Sequence, residues 1–138
     1  MLGLDVGGKT IGLALSDPMG RVATALHTIN RKKIAVDAAE LFKVIGDYRI
    51  GALVIGLPLE MSGTEGRRCQ SVRQFARNLK KIPEFATLPM AFIDERLSTA
   101  VVERAMIAAD LSRRKRDERI DAAAAAYILQ NALERVRE

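Results

Sequence analysis

The 138-residue sequence predicts a single α/β domain on a five-stranded mixed sheet, three antiparallel strands followed by parallel ones, with helices on both faces. Three observations predict it. Three short β-type segments come first, separated only by turn signals. An almost wholly apolar run, Ala52 to Ile55, then sits between two stretches of helical periodicity. No repeat, low-complexity tract or Pro/Ser linker divides residues 1–138.

Met1 to Val6 and Ile11 to Ser16 read as strands joined by Gly7-Gly8-Lys9-Thr10, and Val22 to Ile29 as a third, with Pro18 and Gly20 marking the turn before it. Ile34, Ala38, Leu41 and Ile45 recur at helical spacing, and Gly46 to Gly51 ends that helix. Ala52 to Ile55 suits a buried strand. A loop with Gly63 and Gly66 leads to a helix carrying Val72, Phe75, Ala76 and Leu79 on one face, broken before Pro83. Pro89 to Ile93 is the fifth strand. Ser98 can cap a helix bearing Val102, Ala105, Met106 and Ala109; a basic loop follows, and the last helix runs from about Asp117 to Val136.

Composition narrows the function. With 49% apolar and 28% charged residues, the chain can bury a core without disulfides or structural metal. Its one Cys cannot form an internal disulfide, and one Cys plus one His cannot build a zinc site, so a reducing, cytoplasmic setting fits. The longest apolar stretch, Ala122 to Leu129, is far below the roughly 18–20 residues of a membrane span, and no leader is expected before the first strand. The net charge of +5 permits phosphate binding without requiring it. Cations cluster in the second half, at Arg67, Arg68, Arg73, Arg77, Lys80 and Lys81 and in the run Arg113, Arg114, Lys115, Arg116. The plainer reading of both clusters is a solvated helix face and a solvated loop.

Two motifs compete for the N-terminus. Gly3 to Thr10 formally matches Gly, four residues, Gly-Lys-Thr, the phosphate-binding loop. Such a loop must follow a buried strand and open a helix whose N-terminal amides face phosphate, whereas Ile11 to Ser16 reads as a strand. The match is rejected on context. The other reading centres on Asp5, a carboxylate at the end of an apolar central strand. Burying it costs several kcal/mol unless a metal ion, hydrogen bonds or solvent compensate the charge.

Other acids bear on the choice. Asp94 and Glu95 end the fifth strand, and alternation sends them to opposite faces, so one of the two can point toward Asp5. Asp121 shares a helix face with Ala124, Ala125, Ile128 and Ala132, the face expected against the sheet. Its place near the expected helix start is also explained by the helix dipole alone. The alanines at 122–126 let that helix approach the strands closely.

Leu4 to Gly12, Ser16-Asp17-Pro18, Val54-Ile55-Gly56-Leu57-Pro58, Gly63-Thr64-Glu65-Gly66, Asp94-Glu95-Arg96-Leu97-Ser98-Thr99 and Ile120 to Ala124 together resemble, in order and spacing, the YqgF family. Its members are known as Holliday junction resolvases or as nucleases of pre-16S ribosomal RNA. The resemblance spans essentially the whole chain. It implies an RNase H-like fold and a nuclease in which Asp5, Glu95 and Asp121 hold two divalent ions, Mg²⁺ or Mn²⁺, for phosphodiester hydrolysis. It also implies that Lys9, Arg96 and Arg113 to Arg116 position phosphates of precursor rRNA or structured DNA. Three departures stand out. Residue 10 is Thr where many relatives carry Arg; the first strand begins almost at residue 1; and Glu95 on a fifth strand beyond the fourth would lie roughly 9–10 Å from Asp5. Glu65 is a reserve ligand.

The remaining signals are modest. His27 reads as surface or core filler, Cys69 as inert, and Asp17 before Pro18 as a turn former; Lys9 is equally well a solvated turn residue. The rival readings are a nucleic-acid-binding module without hydrolysis and an actin-like ATPase, which needs two such domains around its nucleotide. A monomer and a homodimer both remain open; junction cleavage would favour the two-fold dimer.

Overall fold

The structure, a computed structural model, describes residues 1–58, 65–94 and 113–137, with side chains of the last helix described over 122–135. In chain order the elements are β1 (Leu2–Val6), β2 (Thr10–Ser16), β3 (Ala23–Asn30), α1 (Ile34–Asp47), β4 (Leu53–Leu57), α2 (Arg67–Lys80), a short 3-10 turn at Pro83–Phe85, β5 (Met90–Asp94) and α3 (Arg113–Arg137). All five expected strands are present, most displaced by a residue or two. The helix expected after Ser98 lies outside the described residues.

The strands form one sheet in the order β3-β2-β1-β4-β5. β1 pairs antiparallel with β2, and β2 with β3, while β1, β4 and β5 run parallel. Short turns allow the antiparallel half, and α1 and α2 supply the crossovers that parallel strands need. The carboxyl ends of β1, β4 and β5 therefore share one edge of the sheet.

Alternation divides the strand residues between two cores. Leu2, Leu4, Val6, Ile11, Leu13, Leu53, Ile55 and Leu57 pack under α1 and α2, with Leu41, Val72, Phe75 and Leu79. On the other face Ala14 and Val54 meet Ala125, Ile128, Leu129, Ala132 and Leu133 of α3. Small residues on the sheet side of that second core let the helix lie low, and its fully buried Ile128 and Leu129 contribute about 1.5–3 kcal/mol each.

Helix α3 is described from Arg113 onward, so the run Arg113 to Arg116 is helical and not the loop that its charge suggested. Arg and Lys are good helix formers, and neither Gly nor Pro interrupts the run. Asp121 consequently does not open the helix. It lies about 12 Å along the axis from the first residue, beyond the terminal turn in which the dipole acts. Dipole stabilisation no longer accounts for an acid at that position.

Candidate functional site

The shared edge at the carboxyl ends of the parallel strands is where open α/β sheets bind ligands. Asp5 occupies it. Leu4 and Val6 point to the α1/α2 core, so Asp5 points to the α3 face, where it is partly exposed. Its register partner on β2 is Gly12, and on β4 the residue after Leu4's partner Ile55 is Gly56. Neither neighbour has a side chain, so the carboxylate rises from the sheet between two bare backbones.

Gly3, two residues earlier on the same face, sets the height of α3. A Cβ at Gly3 would lie 2.8 Å from Leu129 Cβ and 3.0 Å from the Ala125 carbonyl oxygen. The helix backbone thus rests on β1, with residue 121 one turn before Ala125. The Gln130 amide anchors the far side of α3: its Oε1 accepts from the Ala23 N–H at 2.8 Å and its Nε2 donates to the Arg21 carbonyl at 2.9 Å. With Gln130 bonded at the start of β3, opposite the end of β2 at Ser16, and Ala125 against Gly3, the amino-terminal part of α3 points toward the edge that carries Asp5.

The hairpin after Asp5 is held by Arg31, a residue without any local sequence signal. Its Nη1 donates to the Gly7 carbonyl at 2.6 Å, its own N–H donates to the Lys9 carbonyl at 2.8 Å, and its guanidinium lies 5.1 Å from the Phe75 ring centroid. The Gly7 N–H donates to the Thr10 carbonyl, closing a tight turn into β2 and leaving Lys9 exposed at the tip. No helix follows this turn, so the phosphate-loop match fails in three dimensions as it did on context.

β5 places Asp94 as alternation requires. Phe92 packs toward the α1/α2 core and Ile93 toward α3, which puts Asp94 on the face opposite Asp5. Glu95 and Arg96 lie outside the described residues, as do the side chains of Asp121 and of Arg113 to Arg116. Among the described residues no three metal-ligating side chains converge. Among the described residues, the acid on the α3 side of this edge is Asp5, an oxygen donor of the kind that suits a hard divalent cation.

Glu65, the reserve ligand, is already engaged. Arg73 Nε donates to its Oε1 at 2.6 Å and Nη2 to its Oε2 at 3.2 Å, and Cys69 Sγ donates at 3.2 Å. The Arg73 guanidinium first, and the Cys69 thiol second, hold the carboxyl below the usual range. Burial, reinforced by Glu65, raises the Cys69 thiol, in keeping with an inert cysteine. Asp17 is a turn former: its Oδ1 accepts from the N–H groups of Arg21 at 2.7 Å and Val22 at 3.0 Å. His27 is exposed on the edge strand β3.

Comparison with known proteins follows the geometry. Residues 1–135 match the family described as RuvX, Holliday junction resolvase. Proteins named "Putative pre-16S rRNA nuclease" are similar throughout. That of Rhodospirillum centenum is 55% identical over 140 residues, covering 100% of this chain and 74% of the relative. That of Jannaschia sp. is 53% identical over 137 residues, covering 99% and 86%. Among solved structures, Thermus thermophilus RuvC bound to a Holliday junction substrate superposes with a TM-score of 0.56 at 15% identity, over 99% of this chain and 94% of that one. At that identity the likeness is one of fold, and the fold is RNase H-like.

Proposed function

The chain belongs to the RuvX family of Holliday junction resolvases, and from that premise we propose that it is a metal-dependent nuclease that trims the precursor of 16S ribosomal RNA. The observation that carries the reading is Asp5, which stands between Gly12 and Gly56 on the face that α3 covers at backbone contact. The names of the relatives support the substrate, and the RuvC-like fold supports the chemistry.

Asp5, Glu95 and Asp121 are the proposed ligands. Glu95 is proposed from the block Asp94-Glu95-Arg96-Leu97-Ser98-Thr99, which carries the resemblance to the family. Residue 121 lies one turn before the Ala125 contact with Gly3, and the helix dipole does not explain an acid there. Mg²⁺ or Mn²⁺ bound by these carboxylates supplies an activated water and a counter-charge for the departing oxygen. The protein's own part is to hold Asp5 on β1 at a distance from α3 that the Gly3 contact sets. Lys9 at the hairpin tip, Arg96 and Arg113 to Arg116 are the proposed phosphate-binding residues.

A second reading, cleavage of a four-way DNA junction, is favoured by the family description and by the junction-bound RuvC neighbour. One experiment decides between them. The protein, with Mg²⁺ or Mn²⁺, is incubated with a 5′-extended 16S rRNA fragment and with a synthetic junction; shortening of the RNA alone is expected, and loss of it in Asp5→Asn. Cleavage that persists in EDTA, or in both Asp5→Asn and Asp121→Asn, overturns the metal mechanism.

A further inference from the structure

On the outer flank of α2, away from the α3 face, a groove of about 470 Å³ runs between that helix and β5. Its floor is apolar, from Ala76, Met90 and Phe92, and its rim is cationic, from Arg73, Arg77, Lys80 and Lys81. Residues 67–80 contain five cations and no acid. Among the described residues, Glu65 is the only acid in a salt bridge with this rim. Among the described residues, Arg77 donates to the neutral Gln74, and Lys80 Nζ donates to the Leu88 carbonyl. β5 is the last strand on this side of the sheet among the described residues.

We infer that this groove is a binding track for single-stranded nucleic acid, distinct from the carboxylate site. A cationic rim over an apolar floor matches a strand whose phosphates lie outward and whose unpaired bases turn in, the combination used by single-strand binders. Arg73 supplies a flat surface for a base: its guanidinium lies over Phe92, 4.9 Å from the ring centroid, held by the two bonds it donates to Glu65, and one third exposed. A duplex cannot turn its bases toward that floor. The Arg73 end of the groove lies at Phe92, two residues before the carboxyl end of β5, and β5 is two strands, roughly 10 Å, from β1. A strand in the groove would therefore run toward the edge that carries Asp5, so the track would hold the unpaired flank of the substrate. This last point rests on the nuclease reading; the binding itself does not.

The test is anisotropy with a fluorescent 12-nucleotide RNA in EDTA, so that cleavage plays no part. Arg77→Gln with Lys81→Gln, both exposed positions, should weaken binding roughly three- to tenfold at 0.1 M salt. It should also lower the slope of log K against log salt by about 1.4, at ~0.7 per phosphate contact. Circular dichroism and melting like the wild type show that the fold is intact. Unchanged affinity and slope overturn the track, as does an equal loss with a 12-base-pair duplex or an acidic peptide that displaces the RNA as well as a second oligonucleotide does. Asp5→Asn should bind the RNA like the wild type and fail to cut it. If Asp5→Asn still cuts, the nuclease site is misassigned while the track stands; if it is inactive and the double variant binds normally, the reverse holds.

Discussion

Gly3 of β1 and Leu129 of α3 are packed so closely that a side chain at position 3 would place its Cβ 2.8 Å from that of Leu129. The second near atom, the Ala125 carbonyl oxygen at 3.0 Å, belongs to the helix backbone and cannot rotate away. A methyl group at residue 3 must therefore lift the helix or bend the strand. Gly3→Ala should cost about 1–3 kcal/mol in urea unfolding, the usual range for overpacking. It should reduce cleavage by more than that loss of folded protein explains, because the displaced segment of α3 is the one that leads to Asp121. Normal stability with normal cleavage would mean that α3 does not rest on β1.

Asp5→Asn separates chemistry from folding. The residue is partly exposed and its strand neighbours are glycines, so an isosteric amide disturbs no packing. Cleavage should fall on the order of 10²–10³-fold, the scale of removing one preorganised charge-stabilising group. The melting temperature without divalent ions should stay near the wild-type value, and any rise on adding Mn²⁺ should shrink. A variant that melts far below the wild type would identify Asp5 as structural.

Much of this arrangement is legible in the sequence because it rests on local periodicity. The β-type segment Met1 to Val6 and the apolar run Ala52 to Ile55 mark the strands found at Leu2–Val6 and Leu53–Leu57, and Val72, Phe75, Ala76 and Leu79 mark the buried side of α2. What escapes is set by distant partners. Arg31 has no local pattern that points to the Gly7 carbonyl 24 residues away. The α2 cations look like a solvated face until β5 brings Phe92 beneath Arg73. The basic run of α3 misleads for a different reason: Arg113 to Arg116 have good helix propensity, but a block of like charge resembles a loop.

Asp17 gives a pH signature remote from the proposed site. Hydrogen bonds from the Val22 and Arg21 N–H groups hold its carboxyl below the usual value of about 4. A depressed folded pKa means that the turn is stabilised above the unfolded value and loses that support as pH falls through the folded one. Asp17→Asn keeps a neutral acceptor for both N–H groups. Thermal melts from pH 5 to pH 2 should show the wild type losing slightly more stability than the variant, with the difference appearing below about pH 4. Parallel curves would remove Asp17 as the cause.

Glu65 and Glu95 offer the sharpest contrast at the proposed metal site. To serve as a ligand, Glu65 would have to leave a bidentate contact with Arg73 and the bond from Cys69. Its ion pair is about one third exposed and screened by solvent, so it holds Glu65 only weakly. The decisive factor is geometric. Arg73 ties Glu65 to the α2 side of the sheet, through its stacking on Phe92, whereas Asp5 faces α3. Glu65→Gln should therefore leave the apparent Mn²⁺ affinity and the cleavage rate within about threefold of wild type, while Glu95→Gln should lower both as severely as Asp5→Asn, on the order of 10²-fold or more in rate. Metal-titrated cleavage of a 5′-extended 16S rRNA fragment reads both quantities. If Glu65→Gln proves the more damaging, the carboxylate must cross to the α3 face when metal binds, and Arg73 would be its holder in the metal-free state.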